Sequence, residues 1–156
     1  MKLSAEVNQR KENMNPLDLA GYIVKHCLNT NQEISNLQLQ KILYFVQLQS
    51  LMNADDFSVA IMPEAEFEAW KFGPVVPAVY YHFCGFGAMP IWSSYKVDSV
   101  SHSEIIDQVV DEKKQMDPWD LVAKSQYKGS PWNLIYQDGQ GSHEVIPLEL
   151  MRNAAR

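Results

Sequence analysis

The longest apolar segment of the chain is Ser35–Met52, and its hydrophobic residues do not keep to one side of a helix. At 100° per residue they cover most of the circumference, which predicts a helix buried nearly all round. Ser35 and Gln38 have the spacing of a capping box at its start. Buried amides need hydrogen-bond partners, so we expect Gln40 and Gln47 to bond to neighbouring groups and fix the packing of this helix.

Start signals mark most of the other helices. A proline just inside a helix is favourable because its missing N–H would have no intrahelical partner there. Such starts occur at Asn15-Pro16, Val76-Pro77, Asp117-Pro118, Ser130-Pro131 and Pro147. An amphipathic helix is expected over Ser103–Met116, with Lys113 and Lys114 among the charged residues that face water.

The remaining patterns complete the predicted fold. Two short, partly alternating segments, Phe57–Ile61 and Glu64–Trp70, predict a small β-hairpin, and His143–Ile146 predicts a further extended piece. The fold class is therefore mainly α: a compact domain of six to seven helices around a buried central helix, with a possible small β-hairpin. Residues 15–156 form this single domain, and residues 1–14 form a flexible or partner-binding arm that includes Arg10 and Lys11.

Composition and charge exclude some classes of function and favour others. The 156 residues include 46% apolar and 21% charged residues, which argues against disorder. The net charge of -6 argues against sequence-independent nucleic-acid binding and favours a basic protein partner. No apolar run is long enough to cross a membrane, and the polar N-terminus lacks a signal peptide. We therefore expect a cytoplasmic protein without a membrane partner.

The sequence offers little catalytic or metal-binding chemistry. Cys27 and Cys84 are too few for a disulfide framework, and His82 and Cys84 lack further ligands for a metal. There is no phosphate-binding or nucleophile motif. We expect no catalytic residue, no metal and no cofactor, and therefore a binding protein rather than an enzyme.

Each of the tryptophans Trp70, Trp119 and Trp132 could lie either in the hydrophobic core or at an interface with a protein partner. Trp119 and Trp132 follow proline-marked helix starts and are expected in the core. Trp70 lies beside Gly73-Pro74, where a rigid turn could present it to a partner, so core and interface remain equally open.

Two motifs carry a family resemblance. Leu39–Tyr44 reads LQKILY and Glu68–Tyr80 reads EAWKFGPVVPAVY, followed later by Pro131-Trp132. Over roughly Pro16 to Ile146 the chain resembles the Panacea-domain antitoxins, also described as phage-associated or GepA/SocA-like proteins. The family-motif residues, with a scaffold role, are Leu39, Gln40, Lys41, Tyr44, Trp70, Gly73, Pro74, Val75, Pro77, Tyr80, Pro131 and Trp132.

The resemblance implies a mostly helical antitoxin that binds and neutralises a protein toxin encoded beside it. Some relatives instead act as adaptors that deliver a toxin to a protease. The candidate partner-binding residues are Trp70, Lys71, Arg10 and Lys11. The identity of the toxin and the oligomeric state stay open.

One position departs from the family pattern. Ser125-Gln126 stands where the family often has Thr-His. Serine keeps the hydroxyl group, whereas glutamine cannot titrate as histidine does. Any catalytic role of that histidine would therefore be lost here, while a structural role could survive.

Two other function classes remain as alternatives. An enzyme acting on a small ligand would need a polar pocket, and its residues would be Gln40, Lys41, Trp70 and Gln126. A regulator that binds nucleic acid is the other alternative, and the acidic charge counts against it.

Overall fold

The computed structural model describes residues 14–52, 60–94, 97, 100 and 102–155. Within these ranges the chain forms seven α-helices: α1 Pro16–Asn29, α2 Asn36–Met52, α3 Pro77–Phe83, α4 Ser103–Lys113, α5 Pro118–Ser125, α6 Pro131–Tyr136 and α7 Leu148–Ala155. Three short strands accompany them: β1 Phe67–Trp70, β2 Gly73–Val75 and β3 Val145–Ile146. The mainly helical fold with a small sheet is confirmed. None of the helices in these ranges is both long and apolar enough to cross a bilayer.

Helix α2 is the centre of the fold. It packs against α1, α4, α5, α7 and β2. Its apolar residues are fully buried on several sides, as Leu39, Leu43 and Val46 show. The capping box is present: Gln38 Oε1 accepts from the Ser35 N–H at 2.9 Å, and the Gln38 N–H donates to Ser35 Oγ at 3.3 Å. The predicted buried helix is therefore confirmed, together with its start.

The two glutamines of α2 bind backbone groups of other segments. Gln47 Oε1 accepts from the Met62 N–H at 3.0 Å, and Gln47 Nε2 donates to the Met62 carbonyl at 2.8 Å. Gln40 Oε1 accepts from the Val76 N–H at 3.0 Å, and its Nε2 donates to Asn36 Oδ1 at 3.0 Å. Both side chains fix neighbouring segments onto α2, as predicted.

The sheet differs from the predicted hairpin. Its order is β2-β1-β3 with antiparallel neighbours, so β1 pairs with β2 on one side and with β3 on the other. Ala60 and Ile61 lie outside any strand, and residues 57–59 lie outside the described ranges. Strand β2 was missed because Pro74 argues against a strand; it is tolerated here because β2 is an edge strand.

Two lysines of the α4 region are buried, against the prediction that they face water. Lys114 Nζ lies 3.0 Å from Asp111 Oδ1 and donates to Thr30 Oγ1 at 2.7 Å. Lys113 Nζ lies 4.9 Å from the centre of the Phe45 ring. Long lysine stems can cover apolar surface while the amine finds a polar or aromatic partner, which a helical periodicity does not reveal. Both lysines thus tie the end of α4 to its neighbours.

Candidate functional site

The family motifs meet where the β1–β2 turn lies on α2. Gly73 has a φ of +104°, and a Cβ at this position would lie 2.7 Å from Lys41 Cε and 2.7 Å from Ser125 Oγ. A side chain here would be strained in its backbone and would collide with α2 and α5. Glycine is therefore required both for the turn and for its close approach to the helices.

Lys41 lies beneath this turn and is fully buried. Its Nζ donates to the Pro74 carbonyl at 2.9 Å. No carboxylate within the described ranges forms an ion pair with it. Burial without a compensating charge disfavours the ammonium form, and this desolvation lowers the pKa of Lys41 to about 7.

A cavity of about 560 Å³ lies beside Lys41. Asn36, Gln40 and Lys41 of α2 line one side, and Tyr80 of α3 and Trp70 of β1 line others. A volume of this size is typical of small-molecule sites, which combine apolar walls with a few polar groups. The structure therefore brings the polar residues of the first motif and the aromatic residues of the second around one space.

Trp70 is a wall of this cavity. Its ring stacks on His143 with centroids 4.5 Å apart and planes 5° apart, and it meets Tyr80 edge-on at 4.9 Å. Its Nε1 donates to Glu68 Oε1 at 3.0 Å. The ring is only partly buried. Trp70 is thus neither a sealed core residue nor an isolated surface residue.

His143 was missed by sequence reasoning. It reaches the cavity because β3 returns beside β1, where its N–H donates to the Ala69 carbonyl at 2.7 Å. This pairing joins residues about seventy positions apart in the chain. The residues next to His143 contain no pattern that predicts the contact. The nearest signal was the extended piece predicted over His143–Ile146.

The other two tryptophans near the site, Trp132 and Trp119, differ in burial. Trp132 is buried, as predicted, with its Nε1 donating to the Trp70 carbonyl at 2.7 Å. The prediction for Trp119 was wrong, because its side chain is 57% exposed and its ring meets Phe72 edge-on at 5.2 Å. Helix α5 turns Leu121 and Val122 inward, which leaves Trp119 on the outer side of the first turn.

Lys71, Phe72 and Trp119 form an exposed group that we name the turn surface. Phe72 is 45% exposed, and Lys71 Nζ lies 5.5 Å from the centre of its ring. The candidate partner-binding residue Lys71 is therefore accessible. Arg10 and Lys11, the other basic candidates, lie outside the described ranges.

Ser125 and Gln126 both support the turn. Ser125 is buried beneath Gly73, and its Oγ donates to the Val122 carbonyl at 2.7 Å. Gln126 Nε2 donates to the Lys71 carbonyl at 2.9 Å. Of the four residues proposed for an enzyme pocket, Gln40, Lys41 and Trp70 line the cavity, whereas Gln126 is absent from its lining.

The remaining motif residues lie in the surrounding scaffold. Leu39 and Tyr44 are buried on α2, and Val75 is buried in β2. Pro77 and Pro131 are the first residues of α3 and α6. These positions set the helix starts and the packing around the turn.

Comparison with known proteins agrees with the motifs. Residues 39–133 match the family described as Antitoxin SocA-like, Panacea domain. The chain is 36% identical over 131 residues to a protein named Antitoxin SocA from Caulobacter vibrioides (strain NA1000 / CB15N), across 75% of this chain and 67% of that relative. No solved structure matches the chain significantly. The chain belongs to the SocA-like, Panacea-domain antitoxin family.

Proposed function

We propose that this protein is an antitoxin that neutralises a protein toxin by direct binding in the cytoplasm, with the turn surface as a contact region. The observation that carries the proposal is the exposure of Trp119 and Phe72 as a ring pair beside Lys71. Aromatic residues are enriched at the energetic centres of protein interfaces. Family membership supports the antitoxin role, since the Caulobacter relative carries that name.

The backbone next to the turn surface is hydrogen-bonded to neighbouring segments, which favours binding. The Lys71 carbonyl is bound by Gln126, and the Trp70 carbonyl is bound by Trp132. Gly73 fixes the turn from below through its close approach to α2. A surface that is ordered before binding loses less conformational entropy when the complex forms. The partner contact therefore benefits from the scaffold role of the motif residues.

Specificity for one toxin requires further contacts. We assign the arm over residues 1–14, with Arg10 and Lys11, to this selection, because charged groups outside the scaffold of motif residues can steer and discriminate partners. The acidic body of the protein complements a basic toxin.

Co-expression with the toxin encoded by the neighbouring gene tests the proposal. The wild-type chain is expected to restore growth and to elute with the toxin as one complex on a sizing column. Phe72→Ser combined with Trp119→Ser should weaken the complex by at least about tenfold, which is roughly 1.4 kcal/mol. The matched control is Trp92→Ser, because Trp92 is 71% exposed but lies against Phe86 outside the turn surface.

The same experiment separates direct neutralisation from delivery to a protease. Direct binding predicts rescue in cells that lack the candidate protease. A protease adaptor would give rescue only where the protease is present. Rescue without a detectable complex in either strain would refute direct neutralisation.

A further inference from the structure

The cavity beside Lys41 has an unusual charge for this protein. The chain carries 19 acidic and 13 basic residues, yet no aspartate or glutamate of the described part of the chain lines the cavity. The side chains there that can carry positive charge are Lys41, Lys71 and His143. Within the described ranges, the acidic side chain next to a wall of this cavity is Glu68, which accepts from Trp70 Nε1 but does not line the space itself. This distribution favours an anion over a cation.

Lys41 has unused capacity to bind such an anion. An ammonium group has three N–H donors, and the hydrogen bond to the Pro74 carbonyl uses one of them. A buried lysine amine normally requires a charge partner, and none is present within the described ranges. An anion entering the cavity would supply the missing partner through a charge-assisted hydrogen bond.

The other walls suit an apolar or aromatic body. The cavity is lined by the aromatic residues Trp70, Tyr80 and Trp119. Phe72 also lines it, and its ring contacts that of Trp119. Apolar or small residues such as Leu37, Gly87 and Ala88 form other parts of the lining. A ligand with one charged end and one flat apolar end would match both parts of the site.

We infer that the cavity binds the carboxylate of an aromatic or apolar acid, with Lys41 as its counter-charge and Trp70 and Tyr80 against its apolar body. Two sources share this chemistry: a free small carboxylic acid and the C-terminal residue of a polypeptide. The inference does not depend on toxin binding.

Binding should be coupled to uptake of a proton. Lys41 is largely neutral above about pH 7 because of desolvation, and a carboxylate beside it favours the charged form. The affinity is therefore expected to fall as the pH rises from 7 to 9. Lys71, Tyr80 and His143 are the other titratable groups around the cavity. A His143→Gln variant identifies any part of the proton uptake that belongs to the histidine.

Isothermal titration calorimetry with N-acetyl-L-phenylalanine tests the inference, with N-acetyl-L-phenylalanine amide as the uncharged comparison. The acid should bind at least about tenfold more tightly than the amide. Lys41→Met should abolish this preference. Lys25→Met, at an exposed position on α1, should retain it. Titrations in two buffers of different ionisation enthalpy measure the proton uptake.

A second probe distinguishes the two sources. N-acetyl-Gly-Gly-Gly-Phe with a free carboxyl end should bind as well as the single acid if the cavity accepts a polypeptide terminus, and more weakly if it accepts only small acids. Absence of binding by both acids at 10 mM, which corresponds to about -2.7 kcal/mol, would overturn the inference. Equal binding of acid and amide would also overturn it. If Lys41→Met does not fold, the acid–amide comparison and the proton uptake of the wild-type protein decide.

Discussion

At the scale of single residues, the contact between Gly73 and Lys41 explains why the second motif needs its glycine. Replacing Gly73 by valine forces a β-branched residue into a φ of +104° and places its Cβ against Lys41 and Ser125. We expect a loss of roughly 2–4 kcal/mol of unfolding free energy, or failure to fold. Thermal and urea denaturation measure this loss. Gly85→Ala is the control, because nothing lies within 4 Å of a Cβ there, and an equal loss in both variants would contradict the account.

The buried amine of Lys41 is expected to make the stability of the protein depend on pH. Its folded-state pKa of about 7 lies below the ordinary 10.5, so between these values the unfolded chain binds more protons than the folded chain. The stability contribution of Lys41 therefore rises with pH in this window, by at most about 1.4 kcal/mol per unit. The Lys41→Met variant lacks this dependence.

Urea denaturation of both proteins at pH 7, 8 and 9 checks the expectation. The free energy of unfolding of the wild-type protein should increase relative to that of Lys41→Met as the pH rises. Parallel curves would show that Lys41 keeps an ordinary pKa in the folded protein.

At the scale of elements, local signals predicted the helices better than the sheet. The capping box of α2 and the proline-marked starts of α1, α5 and α6 depend on neighbouring residues, so the sequence displays them directly. The pairing of β1 with β2 and β3 depends on Gly73 and on a strand far along the chain. The exposure of Trp119 and the arrival of His143 at the cavity depend on the same tertiary arrangement. The sequence therefore identified Gln40, Lys41 and Trp70 as residues of one polar pocket, but it wrongly added Gln126 and missed His143.

Gln47 holds α2 to the segment around Met62, and its loss should be costly. Gln47→Leu would remove the partner of the buried Met62 N–H, whereas the Met62 carbonyl would still accept from the Ala65 N–H. We expect a loss of roughly 1–3 kcal/mol of unfolding free energy. Gln108→Leu, on the exposed side of α4, should change stability by no more than about 0.5 kcal/mol. Chemical denaturation of the two variants provides the comparison. Equally small losses of unfolding free energy in both would show that the hydrogen bonds between Gln47 and Met62 are dispensable for stability.

At the scale of the whole molecule, the fold separates a scaffold from the surfaces that we assign to the partner. The scaffold is α2 with the turn packed on it, and the turn surface projects from that arrangement. Met14 already belongs to the packed part, because its N–H donates to the Ile61 carbonyl at 2.9 Å. The arm can therefore be tested by a deletion that ends at residue 13.

Deleting residues 1–13 should leave the protein folded, with the far-ultraviolet circular dichroism and the melting temperature of the full chain. Binding to the toxin should weaken, because the deletion removes Arg10 and Lys11, the basic side chains that we assign to the partner. A large loss of stability would contradict the separation of arm and scaffold. Unchanged binding would remove the arm from the interface.

Direct neutralisation can be tested by titrating purified toxin with the purified protein in the absence of any protease. Direct neutralisation predicts a stoichiometric complex and a loss of toxin activity that follows its formation. The double variant Phe72→Ser and Trp119→Ser should shift this titration to higher concentrations, whereas Trp92→Ser should not. A toxin that stays active and unbound in the presence of excess protein would contradict the claim.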